Sequence, residues 1–240
     1  MKLTFLGTRG YIEARSRRHQ MHSSLMVSYY NKNIMVDCGE DWLGKLDTLN
    51  LHAVVITHAH PDHAWGLKQG APCPAYATNI SWEKMENYRI EERRYIMERK
   101  PITIEGITFE AFPVDHSVRA PAVGYRINAG NSTIFYGPDL LYIHDRHSAL
   151  SGADVYIGDG ATISNSMVRK IDDNLIGHTP IRTQLTWCQK EGVPYAIFTH
   201  LGSEIVEGDE RSLNSQIRQM AEKRGVEVQI AYDGLEELVK

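Results

Sequence analysis

Apolar residues in this chain come in short runs. The longest span four positions, as at 53–56 (Ala-Val-Val-Ile) and 195–198 (Tyr-Ala-Ile-Phe). Runs of this length, rich in β-branched and aromatic residues, predict buried strands. Residues 107–114 (Ile-Thr-Phe-Glu-Ala-Phe-Pro-Val) largely alternate, which is the period of a strand with one buried face. Further strand-like segments begin the chain and lie at 33–36, 124–127, 132–136, 155–159 and 225–232. Residues 182–191 read as a helix that ends at Gly192, with Thr179 as N-cap and Pro180 as its first helical residue. Pro61 predicts a helix start at 61–63, and a polar helix follows from about 210 to 224. Residues 81–100 mix Glu, Lys and Arg with Trp82, Met85, Tyr88, Ile90, Tyr95, Ile96 and Met97 before Pro101, and they read as one amphipathic or kinked helical insertion. A packed surface helix is the default reading, and its aromatic content suggests a lid or a homodimer contact as the sharper one. No linker or low-complexity stretch divides residues 1–240, so a single domain is expected.

Composition narrows the class. With 240 residues, 42% hydrophobic and 23% charged, the chain can build a core without disulfides. A net charge of −4 is no footprint for a general nucleic-acid binder. A membrane span needs about 20 consecutive apolar residues, and none is present. Cys38, Cys73 and Cys188 are odd in number and far apart, and the N-terminus starts as a strand rather than a signal peptide. A cytoplasmic location is expected.

The 11 histidines change the picture, because they cluster. Four metal-ligand types, His58, His60, Asp62 and His63, fall within six positions just after the 53–57 strand. In extended backbone His58 and His60 point the same way, while Asp62 and His63 at a helix start face a second point nearby. Neutral imidazoles with a carboxylate suit a borderline divalent cation, and a polar surface loop would rarely carry so many.

The pattern His58-x-His60-x-Asp62-His63-x-x-Gly66 resembles the signature of the metallo-β-lactamase fold superfamily. That resemblance implies an α/β fold, an αββα four-layer sandwich of two mixed β-sheets, with a dinuclear metal site at one edge. It also implies a third histidine, a bridging aspartate and a last histidine, each after a strand. His116, Asp139 and His200 stand in those places, and Thr199-His200 echoes Thr57-His58. The implied assignment is His58, His60 and His116 on one ion and Asp62, His63 and His200 on the other, with Asp139 bridging. All-His/Asp ligation suits zinc, with manganese or iron as alternatives. In this family Asp37 supports a ligand histidine. Cys38 reads as a packing residue.

Two divalent ions, offset by Asp62, Asp139 and a bridging hydroxide, would leave about one positive charge. That favours an anionic ester without excluding a thioester, lactone or lactam. The segment 177–179 (Gly-His-Thr) resembles the branch that contains RNase Z and a cyclic phosphodiesterase. There the matching histidine, here His178, assists phosphodiester chemistry, and an acidic residue, here Asp159, can hold it. Only 22 residues separate His116 from Asp139, and none reads as the long arm by which RNase Z grips tRNA. The resulting expectation is a metal-dependent phosphodiesterase acting on a small cyclic or nucleotide ester. An RNA or DNA nuclease, or another hydrolase of the fold, is the alternative. Residues 13–22 carry three arginines and two histidines, and read equally as a phosphate-binding flap or a solvated loop.

Overall fold

A computed structural model describes residues 1–172 and 174–240. Two large mixed sheets dominate it. The first runs from the C-terminal strand β17 (Glu236–Leu238) through β1 (Lys2–Gly7), β2 (Ser24–Tyr29), β3 (Lys32–Val36), β4 (Ala53–Val55) and β5 (Ala75–Ala77) to β6 (Arg93–Tyr95). In the second, β7 (Ile102–Ile104) pairs with β8 (Ile107–Asp115), which lies between β11 (Tyr142–Ile143) and β9 (Ala122–Ala129). From β9 that sheet continues through β10 (Ser132–Tyr136), β12 (Val155–Asp159) and β15 (Tyr195–Thr199) to β16 (Glu227–Ile230). A separate ribbon pairs β13 (Met167–Ile171) with β14 (Asn174–His178).

Strand alternation builds the layers. Ile34 and Val36 of β3, Ala53 and Val55 of β4, Ile134 and Tyr136 of β10, and Val155 and Ile157 of β12 enter one core between the sheets. Their neighbours turn outward. Met35 and Val54 pack under Trp42, Ala64 of α1 (Pro61–Ala64) and Trp82 of α2 (Asn79–Lys84). Phe135, Tyr156 and Phe198 pack under α3 (Arg146–Leu150), α4 (Ile181–Glu191) and α6 (Glu210–Glu222). Helices, sheet, sheet and helices therefore form the expected four-layer α/β sandwich. A short α5 (Ser203–Val206) follows β15. Among the described residues no helix is long and apolar enough to cross a membrane.

Residues 81–100 depart from the expected helical insertion. The helix is only Asn79–Lys84, capped by Thr78 Oγ1, which accepts from Ser81 N–H at 3.3 Å. The chain then turns and adds β6 parallel to β5 as the edge strand of the sheet. Helix-favouring Glu and Arg are overridden because the edge of β5 offers unpaired backbone groups that need partners. Trp82 Nε1–H also donates to Arg94 O at 2.8 Å, tying helix to strand. Trp82, Met85, Ile90 and Ile96 are buried within the chain, so of the apolar residues that suggested an outside contact, Tyr95 and Met97 are the strongly exposed ones. Helix α4 begins one residue later than expected, with Pro180 rather than Thr179 at the cap position, and ends as expected with Gly192 at φ 74°.

Candidate metal centre

Several strands end at one edge of the sandwich and deliver the predicted side chains there. His58 and His60 follow β4, His116 follows β8, Asp139 follows β10, Asp159 ends β12, and His200 follows β15 at φ 54°. Their ligand-type atoms converge in overlapping groups. His58, His60, His116 and Asp139 place one such atom each within 4.8 Å of one another, and so do Asp62, His63, Asp139 and His200. Asp139 belongs to both, the position expected of a bridge. A third group joins Asp139 and His200 to Asp159 and His178.

The surroundings orient these rings. Asp37, fully buried at φ 63°, accepts from Thr57 N–H at 2.8 Å and from the Thr57 hydroxyl at 2.9 Å. Its other oxygen lies 2.8 Å from His63 Nδ1 and fixes a proton on that nitrogen. His63 Nε2 is thereby turned inward, buried and without a hydrogen-bond partner, 3.3 Å from Asp62 and 3.7 Å from Asp139. His60 Nδ1 sits 3.0 Å from both His58 Nε2 and His116 Nε2, three ring nitrogens facing one point. His116 Nδ1 approaches Asp139 Oδ1 at 2.8 Å without hydrogen-bond geometry, and both atoms are orphaned. Buried polar atoms are normally paired, so a convergent set of orphans fits a divalent cation.

Charge tells the same story. Burial and then the neighbouring histidines push His58 down, and burial and then His116 push His60 down to about 4. Burial alone would also lower His200, but Asp139 and the other carboxylates raise it to about 9. Burial would raise Asp139, yet His116, His200 and His178 hold it well below the usual carboxylate range. The carboxylates in this pocket demand positive charge, which metal ions would supply.

His178 ends β14, and its Nδ1 lies 2.8 Å from Asp159 and 3.1 Å from Asp139. Against the lowering effect of burial, these carboxylates raise it to about 11. It keeps 21% of its side chain exposed to a cleft of about 910 Å³, whereas Asp159 is fully enclosed. Tyr11, Ile12 and Met167 add apolar walls to that cleft. Two of the three arginines of residues 13–22 are engaged elsewhere. Arg15 pairs with Asp41 at 3.0 Å, and Arg18 pairs with Glu210 and lies over the Tyr232 ring. Cys38 is fully buried against Gly66, as a packing residue would be. Tyr11 and the fully buried Gln184 of α4 carry no local motif and were not legible in the sequence, nor was the β13–β14 ribbon that presents His178.

Comparison with known proteins identifies the family and the fold. The profile of the Beta-lactamase superfamily domain matches residues 32–201. A ribonuclease Z from Mycobacterium bovis is 22% identical over 254 aligned positions, covering 88% of this chain and 89% of its own. Among solved structures, the metallo-β-lactamase fold protein YhfI from Bacillus subtilis aligns with a TM-score of 0.75 at 20% identity, over 98% of both chains. A diphosphatase of the PhnP family aligns at 0.76 and 20% identity, over 100% of this chain and 98% of its own. The chain belongs to the beta-lactamase superfamily and is a hydrolase of the metallo-β-lactamase fold.

Proposed function

We propose that this superfamily member is a dinuclear metal-dependent phosphodiesterase acting on a small cyclic or nucleotide ester. His58, His60 and His116 would hold one ion and Asp62, His63 and His200 the other, with Asp139 between them. The His/Asp donor set suits zinc best. Two such ions supply Lewis-acid charge and a water of lowered pKa.

The observation that carries the reading is His178. Asp159 engages Nδ1 at 2.8 Å, which leaves Nε2 for the cleft the ring lines. With Asp139 committed to metal, Asp159 remains as the counter-charge that keeps the imidazole protonated. A protonated ring beside the metal groups can donate a hydrogen bond to a phosphoryl oxygen or a proton to the departing alkoxide. A thioester expels a thiolate, which leaves without a proton, so a donor at that point suits an ester with a poorer leaving group. The likeness to ribonuclease Z supports RNA cleavage as a second reading. Here β9 and β10 occupy most of the stretch between His116 and Asp139, which favours the smaller substrate.

The test is His178→Ala assayed on bis-p-nitrophenyl phosphate, a 2′,3′-cyclic nucleotide, precursor tRNA and a thioester. The parent should prefer the small phosphodiesters. The variant should keep its metals and lose about 10²–10⁴-fold on the cyclic nucleotide, with a smaller loss on the activated ester if proton donation is the role. An undiminished rate on the cyclic nucleotide would reduce His178 to a structural residue.

A further inference from the structure

The Asp159–His178 pair needs a support of its own, because its members come from different elements. Asp159 ends β12 in the second sheet, whereas His178 ends a two-stranded ribbon outside both sheets. Two-stranded ribbons are marginal by themselves. The register between the two residues must therefore be set by something that holds both segments.

Gln184 does so. Its side chain is fully buried on α4, and all four hydrogen-bonding capacities of the amide are used. Oε1 accepts from Asp159 N–H at 2.9 Å and from the Tyr156 hydroxyl at 2.8 Å. Nε2–H donates to Asp159 O at 2.7 Å and to Thr179 O at 2.9 Å. One amide thus grips both peptide groups of Asp159 and the carbonyl of the residue after His178. A second observation points the same way. A Cβ at Gly158 would lie 2.3 Å from both Gln184 Oε1 and the Tyr156 ring, so the glycine makes the room that the amide and its tyrosine partner share.

We infer that Gln184 is a positioning residue: it sets the distance and orientation between the Asp159 carboxylate and the His178 ring. This rests on the phosphodiesterase reading of His178 only for its effect on rate, and the geometry is testable without it. Gln184→Glu keeps the shape and the acceptor but removes the paired donors to Asp159 O and Thr179 O. Gly158→Ala keeps the glutamine but crowds its amide, and the Tyr156 ring that bonds it, from the strand side, so it perturbs the same contact by an independent route.

Two readouts decide the matter in the metal-loaded protein. The first is the Nδ1–H signal of His178 in nitrogen-15 histidine-labelled protein, assigned by its loss in His178→Ala. It should move or broaden in Gln184→Glu and, less so, in Gly158→Ala, with metal content unchanged. The second is a double-mutant cycle on a cyclic nucleotide. Gln184→Glu should lower kcat about 10-fold with KM within about 2-fold, since small misplacements cost up to about 10²-fold. In the His178→Ala background the same substitution should change kcat less than about 2-fold. An unmoved His178 signal in both variants, or equal losses in both backgrounds, would overturn the inference. A moved signal with a fully active His178→Ala enzyme would instead uphold the positioning and sink the phosphodiesterase reading.

Discussion

Asp37→Asn tests how the centre is preorganised, and the structure fixes its consequence. Asp37 accepts three hydrogen bonds, two from Thr57 and one from His63 Nδ1. In the asparagine variant the amide oxygen satisfies both Thr57 donors, so the NH2 group must face His63. Nδ1 then becomes an acceptor, and the ring proton moves to Nε2, the atom that points at Asp62 and Asp139. A protonated Nε2 cannot bind metal. Loss of such a supporting partner costs about 10–100-fold in metal affinity, or about 1.4–2.7 kcal/mol. The replaced charge-assisted bond contributes a further ~2 kcal/mol to the fold, which lowers Tm by about 4–8 °C in a domain of this size. Competition with a fluorescent chelator should show one site weakened and the His58–His60–His116 site retained. Two sites of parental affinity in Asp37→Asn would refute the argument that His63 is held as a ligand tautomer.

His116→Ala should lose mainly the ion of the first group and His200→Ala mainly that of the second, as read by metal content per chain. Chelation should lower Tm and abolish activity, with both restored by zinc, because an ion that binds only the folded state stabilises it. His22 is buried between Arg9 and Asp41, and burial and then Arg9 lower its pKa to about 4. The unfolded chain therefore binds the extra proton. Stability should be full above about pH 6.5 and fall by up to ~3 kcal/mol as pH drops toward 4. His22→Gln should flatten that slope in urea titrations. Gly66→Ala would set a Cβ 2.3 Å from Cys38 Sγ and should cost about 1–3 kcal/mol by the same titration.

The parts of this protein that were legible in its sequence are those whose cause is local. A period of two in β8 states which face is buried, and four ligand-type residues after one strand state a metal site. Thr57-His58 and Thr199-His200 are legible as equivalents because the same pair ends equivalent strands. The remainder depends on contacts between distant residues. Residues 81–100 have helical composition, but the open edge of β5 turns part of them into β6. Arg15 and Arg18 look like phosphate ligands until Asp41 and Glu210 are placed beside them. Gln184 is an unremarked helix residue until Asp159 and Thr179, 25 and 5 positions away, come within its reach.

In the proposed centre two ions sit on either side of Asp139. Anomalous diffraction from zinc-loaded crystals should then show two peaks about 3.5–4 Å apart. One should lie among His58, His60 and His116, the other among Asp62, His63 and His200, and each within bonding distance of Asp139. A single peak in fully loaded protein, or an Asp139 that touches neither ion, would contradict it.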